Sequence, residues 1–211
     1  MGNQMLDRRI APAAATLEKV LFPQVRTAHL SNGVAVYLLQ FGTQEIVELS
    51  ALFPAGKSFE SAPSVSSFAA KMIQEGTRSH NSLEFARALD RFGAFIHVES
   101  GYESASVGLT SLSKHLQSTI PLWAEMMLEP SFPAEELEKL RERTVQHLDV
   151  EEQKTGYIAR KEYNRLLFGT QHPYGAHSEK GDIRAIALEQ LKAFHATHFH
   201  IANASSVATG R

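Results

Sequence analysis

The chain of 211 residues contains no cysteine. That absence removes disulfides, thiolate nucleophiles and thiolate metal sites together, so any metal would have to be held by His, Asp or Glu. An excess of either charge is also missing. The chain has 21 basic and 23 acidic side chains, a formal net charge of -2, with the two signs interleaved. Nucleic acid and anionic membrane surfaces are recognised by basic patches, so neither is expected as a partner. Long apolar runs are lacking as well. No stretch approaches the ~20 residues of a membrane span. The opening MGNQMLDRRIAPAAA has no apolar run of the kind that heads a secretory signal. A cytoplasmic chain is the expectation, with periplasmic or organellar placement left open. The Met-Gly start resembles a myristoylation signal, but Leu6 stands where that signal wants Ser or Thr.

What is present is material for a core. A hydrophobic content of 43% against 21% charged suits one globular domain over residues 26–211, preceded by an extended arm over residues 1–25. Asn32-Gly33, set between two β-rich runs, predicts a hairpin, and EIVELSALFPAG predicts a third strand ended by Pro54 and Gly56. A helix around SSFAAKMIQEGT follows, then a second over SLEFARALDRFGA with Ser82 as N-cap and Gly93 as stop. AFIHVESGYESASVGLTS predicts another hairpin, turning at Gly101-Tyr102. Beyond it lie a helix around SKHLQSTIPLWAEMMLEP, a charged helical segment from Pro133 to Phe168 interrupted by Gly156, a helix over LEQLKAFHATHF and a last strand in ASSVATG. Heptads are not sustained in the charged segment, which excludes a coiled coil. Strands and helices come in blocks, so the fold class expected is α+β, a mainly antiparallel sheet covered by helices.

On the Ser66–Thr77 helix, Val65, Phe68, Ala69, Met72 and Ile73 follow the spacing of a buried stripe. Ser67, Ala70 and Lys71 sit at i, i+3 and i+4 on a neighbouring face, the spacing by which a helix presents two ligands and a general base together. Together with LSNGVAVYLL, ALFPAGKSFE, the continuous run EGTRSHNSLEFARALDRFGAF onward to RTVQHL, HPYG and the closing KGDIRAIALEQLKAFHATHFHIANASSVATGR, the chain resembles the pitrilysin and insulinase family of zinc metallopeptidases, which includes the mitochondrial processing peptidase. The resemblance covers about residues 25–211. It implies a fold like the domains of that peptidase, and places this chain as the first domain of a tandem pair whose second half is absent from it.

The family's catalytic element is the inverted zinc motif H-x-x-E-H, with a third ligand, a Glu, roughly 75 residues further on. Aligned on Gly76-Thr77, the two His positions fall on Ser67 and Lys71, the Glu on Ala70, and the distal ligand on Leu148, or on Asp149 if the register slips by one. Ser is a poor zinc ligand, Ala accepts no proton from water, and an ammonium repels a divalent cation. The resemblance therefore implies a member of a metalloendopeptidase family with its zinc motif lost: no catalytic residue, no metal and no cofactor, only vestigial positions at Ser67, Ala70, Lys71 and Leu148. Lys71 is expected to pair with Asp149, Glu151 or Glu152 or to reach solvent, because an unpartnered buried ammonium costs several kcal/mol.

His195, His198 and His200 in HATHFH could bind a metal, with partly exposed polar side chains as the favoured alternative, and His172 and His177 suit turn and cap roles. The strand Ala94, Phe95, Ile96, His97, Val98, Glu99 and Ser100 corresponds to the one that pairs with substrate backbone in active relatives, a role that needs only main-chain groups. The functional expectation is a catalytically silent, peptide-binding domain that joins an active metallopeptidase subunit, or a second domain of its own kind, to form a chamber for peptides. Such a lone domain is expected to self-associate. An active peptidase with a non-standard site and a stand-alone peptide-binding module are the alternatives.

Overall fold

In the computed structural model, residues 22–211 are described. Most of the expected N-terminal arm, and the Met-Gly start, lie outside the described residues. The arm's expected boundary moves by one position, since Val25 already belongs to the first strand, β1 (Val25–His29). Asn32 and Gly33 turn the chain into β2 (Ala35–Gln40): Gly33 takes φ +86°, and the Asn32 side chain accepts from the Val34 N–H at 3.2 Å. β3 (Ile46–Phe53), β4 (Phe95–Ser100), β5 (Ala105–Leu112) and β6 (Ser205–Gly210) complete one sheet, in the order β1-β2-β6-β3-β5-β4. Among the described strands only the β2–β6 pair is parallel. The others are antiparallel, as the block order of the sequence predicts.

The two-residue period of the strands decides which face is covered. Ala51 and Phe53 of β3 lie opposite Val107 and Ala105 of β5, and all four are buried. Ile46, Leu52 and Leu112, of the opposite parity, stay exposed, so among the described residues the helices pack on one face and the other is open.

The helices are α1 (Val65–Met72), α2 (Ser82–Asp90), α3 (Leu116–Leu128), α4 (Ala134–Glu151), α5 (Thr155–Phe168), α6 (Lys180–Ala185) and α7 (Leu188–His198). The stripe read from the sequence of α1 is the buried one: Val65, Phe68, Ala69, Met72 and Ile73 are all within 1% of complete burial, packed against α7 and β4. Three expectations change. The N-cap of α2 is Asn81 rather than Ser82. Its side chain accepts from the Glu84 N–H at 2.9 Å while Glu84 accepts from the Asn81 N–H at 3.0 Å, a reciprocal box that Ser82 has no glutamate at the right offset to form. The charged segment breaks at residues 152–154, not at Gly156, which lies in the first turn of α5. And α6, too short to show a period, was not anticipated.

Candidate functional site

At the C-terminal end of β4 the chain reverses through Gly101 and Tyr102, and the segment after β3 folds onto this turn. The Lys57 N–H donates to the Gly101 carbonyl at 3.0 Å and the Ser58 N–H to the Tyr102 carbonyl at 2.8 Å. The approach requires glycine at position 56, because a Cβ there would overlap the Tyr102 carbonyl. Next, Glu60 caps α1. Its carboxylate accepts from the Ser66 hydroxyl at 2.8 Å, the Ser66 N–H at 3.2 Å and the Ser64 N–H at 3.3 Å, satisfying donors that have no partner inside the helix. Ser64 is held at φ +69°, an uncommon conformation for a residue with a Cβ, by this carboxylate and by its own hydroxyl bond to Ser178 at 2.6 Å.

These elements, together with α4 and the loop before α6, enclose a cleft of about 360 Å³. From α4 come Thr144, His147, Leu148 and Glu151, the residues one helical face presents. Opposite them is Ser67 of α1, whose hydroxyl donates to the Ser64 carbonyl at 3.1 Å. The structure thus brings two of the positions expected to be vestigial, Ser67 and Leu148, to the walls of one cleft. It keeps the other two apart: Ala70 is buried at 1% exposure beneath the helix, and Lys71 is exposed. Of the two fates expected for Lys71, the one observed is solvent. The acids proposed as its partners are engaged elsewhere, Asp149 with Lys180 at 2.5 Å, Glu152 with Lys180 at 3.0 Å, and Glu151 with Lys154 at 2.6 Å. Lys180, in the unanticipated α6, is the cation that serves this acidic end of α4, and the hydrogen bonds it donates to Asp149 and Glu152 hold its pKa above the usual lysine value.

The lysine that lines the cleft itself is Lys57. Its ammonium donates to the Ala176 carbonyl and stands 5.6 Å from the centre of the Tyr102 ring. Burial lowers its pKa, with Glu60 opposing the shift. His177 lies in the same wall with a depressed pKa, caused first by burial and then by the charges of Lys57 and Lys161, and its Nε2 is buried without a hydrogen-bond partner. Sequence reasoning assigned His177 a cap role and passed over Lys57. Neither carries a periodic or motif signal, and only the docking of the loop through Ala176 and Ser178 brings them to the cleft.

The other histidines singled out in the sequence make packing contacts or local hydrogen bonds. His195 donates from Nε2 to the Met127 carbonyl at 2.8 Å and stacks on Phe199; burial depresses its pKa, and the carbonyl bond only partly offsets this. His198 lies between Phe59 and Phe194, while the Nδ1 atoms of His200 and His172 accept local backbone N–H groups. Among the described residues no three His, Asp or Glu side chains form a group able to hold a metal. Among the described residues strand β4 has one free edge, the last in the sheet. Ala94 precedes it and is buried, Ile96, Val98 and Ser100 turn to the helix side, and Phe95, His97 and Glu99 are exposed, His97 Nε2 lying 3.1 Å from the Thr110 hydroxyl.

Residues 40–170 match the insulinase family, peptidase family M16. A non-peptidase homolog, YmxG, from Helicobacter pylori is 26% identical over 133 residues, which cover 63% of this chain and 31% of that protein. Among solved structures, a peptidase M16 inactive domain from Pseudomonas fluorescens superposes with a TM-score of 0.82 at 27% identity, over 89% of this chain and 46% of that one. The first half of the periplasmic protease PqqL from Escherichia coli superposes with a TM-score of 0.74 at 16% identity, over 90% of this chain and 44% of that one. The chain spans less than half the length of each of these relatives.

Proposed function

The chain belongs to the insulinase family, peptidase family M16, and from that premise we propose that it is a catalytically silent member whose task is to hold peptides rather than cut them. One observation carries the proposal. The cleft between α1 and α4 is walled by Ser67 and Leu148, with Ala70 and Lys71 turned out of it, so the side chains at the four vestigial positions offer neither a zinc shell nor a base. The names of two relatives, a non-peptidase homolog and an inactive domain, agree with this reading.

Peptide binding would use the free edge of β4, where main-chain donors and acceptors accept an added strand without catalytic side chains. A second domain of the same kind, or an active metallopeptidase subunit, would close a chamber over that edge. The shorter span of this chain relative to its solved relatives supports such a companion. The test is metal content and peptide cleavage on the purified chain. After incubation with excess zinc at neutral pH and removal of free metal, less than a tenth of an equivalent should remain, and cleavage of unstructured peptides should be absent with or without chelator. Stoichiometric zinc that is lost on Lys71→Ala substitution, or chelator-sensitive cleavage, overturns the proposal.

A further inference from the structure

The cleft at the end of β4 is polar, and its charges are not all spoken for. Its two acids have partners: Glu60 spends both oxygens on the first turn of α1, and Glu151 holds Lys154 at 2.6 Å. Lys57 differs. It makes no ion pair among the described residues, and the one hydrogen bond recorded for its ammonium is to the neutral Ala176 carbonyl, although three N–H groups are available. A half-buried ammonium in this state favours an anionic ligand, because the desolvation has already been suffered and the remaining donors are unused.

The position of the cleft says what kind of anion. Ser100, the last residue of β4, and Gly101 and Tyr102 of the turn line it, so a strand laid along the free edge of β4 would run directly into it. We propose that the cleft takes a carboxylate of a bound peptide onto the Lys57 ammonium, whose remaining N–H groups donate to it. The inference rests on the edge-strand reading above and adds the chemistry of the ligand. A peptide parallel to β4 delivers its C-terminal carboxylate to the cleft, and one antiparallel to it delivers an Asp or Glu side chain near its N-terminus. The loss of zinc chemistry is then accompanied by a fixed cation, on a different element from Lys71, that selects acidic peptides. Placed at the end of a six-residue strand, the site suits peptides of about seven residues at ~3.3 Å each.

The test uses the whole chain and N-acetylated peptides of alternating Thr and Val. One has a free C-terminus, one a C-terminal amide, one an amide with Glu as its second residue, and one the same amide with Gln there. Affinity is read by calorimetry and the place of binding by backbone amide shifts. The free carboxylate, or the Glu side chain, should bind about ten-fold tighter than its neutral counterpart, the worth of one charge-assisted hydrogen bond. The preference should vanish in Lys57→Gln, which retains an N–H for the Ala176 carbonyl. Equal binding of all the peptides with shifts in β4 overturns the carboxylate site and leaves the edge-strand reading intact. No shift in β4 with any peptide overturns both. A preference that persists in a folded Lys57→Gln also overturns the assignment. If that variant folds poorly, the contrast between charged and neutral peptides on the unaltered chain decides alone.

Discussion

At the scale of the residue, the chain shows how a side chain's partners, rather than its type, decide its role. Glu125 on α3 is a structural example. It accepts from the Thr77 hydroxyl at 2.7 Å and the Ser79 N–H at 2.9 Å, with His80 Nδ1 at 3.4 Å, and so ties the turn after α1 to α3. Burial pushes its pKa up, but the hydrogen bonds from Thr77 and Ser79 and the nearness of His80 outweigh it, and the folded value lies below the ordinary one. A depressed carboxylate stabilises the fold fully above its unfolded pKa and loses that contribution as the pH falls through the folded pKa. Glu125→Gln should therefore cost about 1–2 kcal/mol at neutral pH. The difference from the unaltered chain should shrink steadily on acidification below about pH 4, as read by urea unfolding at a series of pH values. A difference that stays constant down to pH 2 would show that the charge plays no part.

At the scale of the element, the legible parts of the sequence were those with a period or an obligatory turn. The stripe of α1 and the alternation of β3 and β5 were written in spacing, and the first hairpin in Asn32-Gly33, because each follows from local geometry. What could not be read locally was the place of β6. It is the last strand in sequence yet lies between β2 and β3, pairing Val207 with Tyr37 on one side and Ser50 on the other. No local signal in SSVATG announces a central strand, since pairing partners more than 150 residues away decide it. The cleft was illegible for the same reason: Lys57 and His177 meet only after the loop before α6 has docked. The topology has a consequence for stability. The β1–β2 hairpin joins the sheet only through β6, so breaking β6 detaches two strands at once. Val207→Pro should abolish cooperative unfolding or lower the midpoint far more than Thr27→Pro, which alters an edge strand with all its residues exposed. Thermal melts followed by circular dichroism compare the two, and equal effects would contradict the central role of β6.

At the scale of the whole molecule, the face of the sheet that no described residue covers is the feature to explain. Tyr37 and Ile46 are 39% exposed, Leu52 and Leu112 37%, and Phe95 62%, and strand alternation brings all five to the side opposite the helices. Scattered exposed apolar side chains are ordinary, but residues gathered on one sheet face by a strict period form a surface that water leaves readily when another surface is offered. Burial contributes about 25 cal/mol per Å² of apolar area, so even a standard protein–protein interface would draw substantial stabilisation from it, less the cost of immobilising two bodies. A companion domain would take this role in the assembled form proposed above. In its absence, copies of the chain are the most abundant apolar surface available to each other. Sedimentation across a hundred-fold range of concentration should show reversible association, weakened by Leu52→Lys or Ile46→Lys on the open face and unaffected by Glu99→Lys, which reverses a charge on the same face without removing apolar area. An apolar-sensitive dye should bind the dilute chain and be displaced as the concentration rises. A species that stays monomeric throughout, with no dye binding, would mean that the open face needs no cover.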